Sequence, residues 1–211
     1  MWEQLDPAWR AAIEEAWAAY GAGSHPIGAA LTDGNGRVLA RGRNHVFDAE
    51  PGGLIRRNPL AHAEMNALLA LDYHDVDPHQ CVLYTTTEPC PLCMGALYMS
   101  GVRSLHYAAR DTWCGSTNLL GVTPYLARKP VRVSGPLPGV EDLVVVLRIA
   151  FHLRQDANRA TEVVEASRAV SASAVALGEK LARTGELRSL ALGGVSAAEM
   201  VGCLSRSLTQ G

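Results

Sequence analysis

The sequence predicts an α/β layered domain followed by a helical extension, and three observations predict it. Short apolar, β-rich runs alternate with helix-favouring segments through the first two thirds of the chain, as expected for helices packed on a sheet. A strong turn signal, Asp33-Gly34-Asn35-Gly36, joins two of those runs into a hairpin. From about residue 161 the chain becomes rich in Ala, Ser and Leu and reads as helix to about residue 208.

The elements follow in order. Asp6-Pro7 reads as an N-cap and first helical residue. Trp9, Ala12, Ala16, Trp17 and Tyr20 then recur as one apolar stripe, which Gly21 and Gly23 end. Ile27 to Thr32 and Val38 to Arg41 are the strands of the hairpin. Asn44 to Pro59 is a loop rich in Gly, Pro and Asn. Ala61 to Leu71 is expected to be helical, and Asp72 to Gln80 is a polar break. Cys81 to Thr85 is a buried strand, Pro91 to Ser100 a helix ended by Gly101, and Val102 to Ala108 a strand. Val131 to Ser134 is a fifth, shorter strand. Asp142 to Leu153 is torn between a Val-Val-Val core that favours a strand and a length and Asp cap that favour a helix; the expectation is helix. Ser196-x-x-Glu199 has the form of a capping box.

Composition narrows the function classes. The chain has 211 residues, 48% of them hydrophobic, enough for a sizeable core. The formal net charge is −2, without the basic excess that a dedicated nucleic-acid binder uses to displace counterions. That argues for a small-molecule substrate and against nucleic acid. No window approaches the ~20 apolar residues of a membrane span, so no membrane partner is expected. The start lacks the basic and apolar regions of a signal peptide. Five cysteines, an odd number in a chain of this length, argue against a secreted disulfide framework. A cytoplasmic protein with reduced thiols is the expectation.

Two of those thiols carry the chemistry. His62-Ala63-Glu64 lies at one expected helix start, and Pro89-Cys90-Pro91-Leu92-Cys93 at another. Cysteines three apart at a helix N-terminus can face one ion, and the helix dipole there favours thiolates. One His and two Cys make three ligands, whereas a structural zinc site normally closes with four. The open position suits water, whose pKa zinc lowers toward ~7. Glu64, two residues after His62, would take up and pass on its proton. These parts suit hydrolytic attack at the C–NH2 carbon of an aromatic ring.

His-x-Glu followed by Pro-Cys-x-x-Cys is the signature of the zinc nucleobase deaminases. The run Asn58-Pro59-Leu60-Ala61-His62-Ala63-Glu64-Met65-Asn66-Ala67-Leu68 resembles the first motif of the cytidine-deaminase-like superfamily. Thr86-Thr87-Glu88-Pro89-Cys90-Pro91-Leu92-Cys93-Met94-Gly95-Ala96 resembles its second. The resemblance covers residues 5 to 135 or so and points to the branch of guanine deaminases, yeast-type cytosine deaminases and tRNA adenosine deaminases. It implies a three-layer α/β/α fold with a mixed five-stranded sheet, here with a C-terminal helical extension. The zinc deaminase domain would occupy residues 1–155 and the extension 156–211. It also implies Zn2+ held by His62, Cys90 and Cys93, with Glu64 as proton shuttle. Asn44 and the backbone N–H of Ala63 would contact the substrate. A homodimer is expected from the same resemblance.

Plainer readings stand beside these. A Cys-x-x-Cys can be a redox pair or part of a closed structural zinc site. Asn44 can be a turn residue and His45 a loop histidine. Trp113 can pack in the core or serve as a stacking platform, and Asp111 beside it can read a base N–H. Met94 and Met99 read as core filler, Cys203 as a buried small residue, and His25 and His106 as structural. The leading function is deamination of a free nucleobase, nucleoside or related heterocycle, guanine-like or cytosine-like, with release of ammonia. The runner-up is tRNA adenosine-to-inosine deamination. A binding protein that kept zinc and lost turnover is the third.

Overall fold

The computed structural model describes residues 1–48 and 54–210, apart from the side chain of Arg159; residues 49–53 of the expected loop lie outside the described residues. Helix α1 (Pro7–Gly21) starts at the Asp6-Pro7 signal. Strands β1 (Gly28–Thr32) and β2 (Val38–Arg43) form the expected antiparallel hairpin, with a register shift at Leu31/Thr32. Helix α2 (Ala63–Leu69), β3 (Val82–Thr87), α3 (Pro91–Ser100) and β4 (Ser104–Ala109) follow. A single short turn of helix, α4 (Pro124–Ala127), precedes β5 (Arg132–Ser134). The remaining helices are α5 (Glu141–Gln155), α6 (Ala157–Arg168), α7 (Ala172–Thr184), α8 (Glu186–Leu192) and α9 (Ala197–Thr209).

The five strands form one sheet in the order β2-β1-β3-β4-β5. β1 runs antiparallel to both β2 and β3, while β3, β4 and β5 are mutually parallel. The sheet is therefore mixed, as the sequence implied. Every residue of β1 is buried, because helices cover it on both faces. Its neighbour β2 carries Gly42 where α2 crosses. A Cβ there would overlap the Ala63 carbonyl, so only glycine lets the helix that bears Glu64 lie so close to the strand.

Two apolar clusters flank the sheet. One joins Leu31, Leu83 and Leu105 to Ala67, Met94 and Leu97 of α2 and α3. The other joins Trp9, Ile13, Trp17 and Tyr20 of α1 to α5 and to α7, α8 and α9. Helix α5 explains the ambiguity of its own sequence. Leu143 through Phe151 are all buried, so the helix is apolar all round rather than along one stripe, and its β-branched run carries no helical period. Two side chains tie α1 to the helices after α7: the Trp17 indole donates to the Val195 carbonyl at 2.7 Å, and Arg188 donates to the carbonyls of Tyr20 and Gly21 at 3.4 and 3.1 Å. Arg148 Nη2 on α5 meets Asp111 Oδ1 at 2.9 Å. The capping box at Ser196 and Glu199 is formed.

Two side chains differ from expectation. Met99 is 73% exposed instead of filling the core, because it lies on the outer side of a helix whose other face already meets the sheet. Cys203 is only half-buried. His45 lies in the loop after β2, as expected, and is buried there, with Nδ1 2.6 Å from Asp48 Oδ2; Arg43 reaches the same oxygen at 2.7 Å.

Arg148 and Asp111 are 5% and 8% exposed. Removing one partner strands the other charge away from water. Arg148→Met is expected to cost ~3–5 kcal/mol, read as a lower urea midpoint for the whole chain. An unchanged midpoint would show that the pair holds nothing together.

Candidate active site

The metal ligands sit at two helix starts. His62 is the N-cap of α2, with extended backbone at φ −75° and ψ 154°; that is why the helix begins at Ala63 and not at Ala61. Cys90 is the N-cap of α3, Pro91 opens the helix, and Cys93 lies one turn in. The first N–H groups of both helices lack intrahelical partners and make the site electropositive. His62 Nδ1 lies 3.5 Å from Cys90 Sγ and 3.4 Å from Cys93 Sγ. All three ligand atoms lie within 4.8 Å of one another. Zinc bonds of ~2.0–2.1 Å to nitrogen and ~2.3 Å to sulfur, at a tetrahedral angle, place those atoms about 3.6 Å apart. The donor set thus fits zinc in both chemistry and spacing, with three protein ligands and one open position.

Protonation follows from contact. Cys93 shares a hydrogen bond with Cys90 and, with His62, pushes the Cys90 thiol down to about 4. The same contact, with burial, holds Cys93 well above the usual thiol range. The Cys90 contact raises His62. A divalent cation between them would ionise both sulfurs.

Glu64 is the second residue of α2 and only 4% exposed. Burial raises its pKa, and its carboxyl contacts the Cys93 thiol. The Thr85 hydroxyl donates to Glu64 Oε1 at 3.2 Å, with the Thr87 carbonyl as the alternative acceptor. A buried carboxyl held by strand β3 beside three metal ligands can exchange protons with whatever fills the open position.

The expected substrate contacts are placed differently from one another. Asn44 is 1% exposed; its Oδ1 accepts from the Ser24 hydroxyl at 2.9 Å and from the Val46 N–H at 3.1 Å, so its amide hydrogens are what it can offer a ligand. Ala63 is fully buried at the first position of α2, where its N–H has no helical acceptor. The Asp111 carboxylate is engaged on both oxygens. Oδ1 takes the N–H groups of Trp113 and Cys114 and the Arg148 guanidinium, and Oδ2 takes the Cys114 thiol. Trp113 is 55% exposed on the same turn.

Sequence reasoning missed two features. Glu88 ties the turn after β4 to the cysteine segment: Oε2 accepts from Asp111 N–H at 3.2 Å, and Oε1 accepts from Thr117 N–H and its hydroxyl at 3.2 and 2.5 Å. Its position just before Pro89-Cys90 was the available signal. The second is the cluster of rings around His25. The His25 ring centroid lies 5.3, 4.7 and 5.4 Å from those of Phe47, Phe151 and His152. These residues come from three distant stretches of sequence, and no local pattern connects them.

Comparison with known proteins agrees with this geometry. Residues 3–109 match the family model described as the cytidine and deoxycytidylate deaminase zinc-binding region. A probable cytosine deaminase of Schizosaccharomyces pombe is 30% identical over 153 residues, covering 67% of this chain and 88% of that protein. A guanine deaminase of Bacillus subtilis is 35% identical over 91 residues, 41% of this chain; the match spans only 52% of the relative's own length. tRNA-specific adenosine deaminases match as well. Among solved structures, a guanine deaminase from Nitrosomonas europaea superposes with a TM-score of 0.53 and 29% identity, covering 69% of this chain and 84% of its own.

The ligand assignment predicts that Cys90→Ala purifies without stoichiometric zinc by elemental analysis, while Cys203→Ala, on α9, retains it. Full zinc in Cys90→Ala would overturn the assignment. Its helix-start ligand set, its mixed sheet and its match over residues 3–109 make this chain a member of the cytidine and deoxycytidylate deaminase family, zinc-dependent hydrolases of C–N bonds.

Proposed function

We propose that this chain hydrolyses the exocyclic amino group of a free nucleobase, nucleoside or related heterocycle, guanine-like or cytosine-like, to a carbonyl. One water is consumed and one ammonia released. The observation that carries the reading is the buried Glu64 carboxyl beside the His62, Cys90 and Cys93 atoms that fit zinc. When bound, zinc supplies Lewis-acid activation of water at neutral pH. The roles of the residues follow from their positions. Glu64 takes up the two protons of the attacking water in turn, returning the first to a ring nitrogen and the second to the departing amine. Thr85 orients Glu64 through its hydroxyl. The Ala63 N–H and the Asn44 amide hold the ring so that its amino-bearing carbon faces the metal. Burial of these groups keeps bulk water from competing with them.

The net charge of −2 favours a small substrate over an RNA, whose phosphates call for a basic surface. A cytoplasmic setting, where the Cys90 and Cys93 thiols stay reduced, completes the reading.

Ammonia release from guanine, cytosine, adenine, their nucleosides, and triazine and pterin analogues tests the proposal, with inosine formation in an anticodon stem-loop as the opposing arm. Turnover of at least one small heterocycle and an unmodified stem-loop is the expected outcome. Glu64→Ala is expected to keep its zinc and lose ~10²–10⁴-fold in rate. Inosine in the stem-loop with no ammonia from any small heterocycle would overturn the reading in favour of a tRNA substrate.

A further inference from the structure

A cavity of about 320 Å3 is lined by His25, Phe47, Phe151, His152 and the Gln155-Asp156 pair among others, and His25 on its wall is near enough to the ligand His62 for the two imidazoles to interact electrostatically. Its walls are pinned to the ligand-bearing segments. On one side, the His45 N–H donates to the Ala61 carbonyl at 2.9 Å, one residue before His62, which fixes the turn that carries Asn44 and Phe47. The Ser24 hydroxyl donates to Asn44, and the Phe47 N–H donates to the Ser24 oxygen at 3.0 Å, so His25, next in sequence, stands against both. On the other side, α5 is held by Arg148 to Asp111, whose N–H bonds Glu88, two residues before Cys90. His152 follows Arg148 by one helical turn and so faces the same way.

The lining has a definite chemistry. The Phe47 and Phe151 rings lie 6.4 Å apart and 26° from parallel, a stacking surface for a flat ring. The two imidazoles supply the polar edge. Burial pushes His25 down to about 3 and His152 to about 4, helped by neighbouring positive groups, so both are neutral at pH 7 with one donor and one acceptor each. Among the described residues, no lysine or arginine lines the cavity, and Arg148 nearby is already paired. A phosphate would find no cation there. At about 320 Å3 the cavity is at the small end of ligand pockets, and a single six-membered ring held at the metal would leave it unfilled.

We infer that this cavity takes the part of the substrate that projects away from the reacting carbon. Phe47 and Phe151 stack on it and His25 and His152 hydrogen-bond it, which selects an uncharged, fused two-ring amino-heterocycle over a single ring or a nucleotide. The inference rests on the deaminase reading and narrows its substrate. Phe47 is 52% exposed, so its removal costs the fold less than that of a buried ring.

The test uses full-length, zinc-loaded protein. In a Glu64→Ala background, which stops turnover, calorimetric titration with 2,6-diaminopurine, 8-azaguanine, cytosine and GMP measures binding. At least one two-ring base is expected to bind about tenfold or more tighter than cytosine and GMP, and adding Phe47→Ala or His152→Gln is expected to weaken it about tenfold, as lost base–aromatic stacking does. In the active enzyme, Phe47→Ala is expected to raise KM by a similar factor with kcat within about threefold. Equal affinity for all four probes, tighter binding of GMP, no binding of any probe, or two-ring binding indifferent to both substitutions would each overturn the inference. The two readings fail separately. Ammonia release with KM unmoved by Phe47→Ala sinks the pocket and leaves the deaminase. The expected binding pattern without ammonia release from any heterocycle sinks the deaminase and leaves the pocket.

Discussion

The structure turns on the meeting of two helix starts over the sheet. His62 caps one and Cys90 the other, and their ligand atoms come within reach of a single ion. This works only if α2 and α3 are placed to within a fraction of an ångström, since metal–ligand bonds tolerate little error. The sheet supplies that placement. β3 sits between β1 and β4, contributes Thr85 to Glu64, and runs directly into the Glu88-Pro89-Cys90 segment. Gly42 on β2 lets α2 seat against the hairpin. The parallel pair β3 and β4 ends beside Cys90, and Glu88 reaches from one strand end to the turn leaving the other.

What the sequence made legible was local. The ligand trio and Glu64 stand in two short segments, each readable because a helix start must bring neighbouring residues to one point. The hairpin was readable from Asp33-Gly34-Asn35-Gly36, and α3 from Pro91 and the Gly101 that ends it in the left-handed region at φ 85°. What stayed hidden depends on distant partners. Asp111 looks like a free carboxylate until Arg148, brought in by α5, pairs with it. His25 looks like an isolated histidine until Phe47 and Phe151 close around it. Met99 sits among apolar neighbours in sequence but on the outer side of its helix in space. Such positions are decided by which face of an element meets which other element, and one sequence carries no direct record of that.

The helices beyond β5 do more than follow the sheet. α5 lies against α1 and β4, and its apolar girdle is closed on the far side by α7 and α9. Without α7 and α9, the Val144–Phe151 stretch would face water. Through Arg148, the same helix steadies the turn that carries Trp113, and through Phe151 and His152 it lines the cavity shared with His25 and Phe47.

One arrangement bears on how the molecule is made. Trp17 and Tyr20 complete their packing and hydrogen bonding with Leu187, Arg188, Val195 and Val201, and the Trp17–Val195 bond spans 178 positions of sequence. During synthesis α1 can lie on the hairpin as soon as β1 and β2 emerge, but its other flank stays bare until α8 and α9 have been made. The nascent chain therefore carries an uncovered tryptophan-bearing face while everything between α1 and α8 is made, and the finished core closes only when α1 meets α8 and α9.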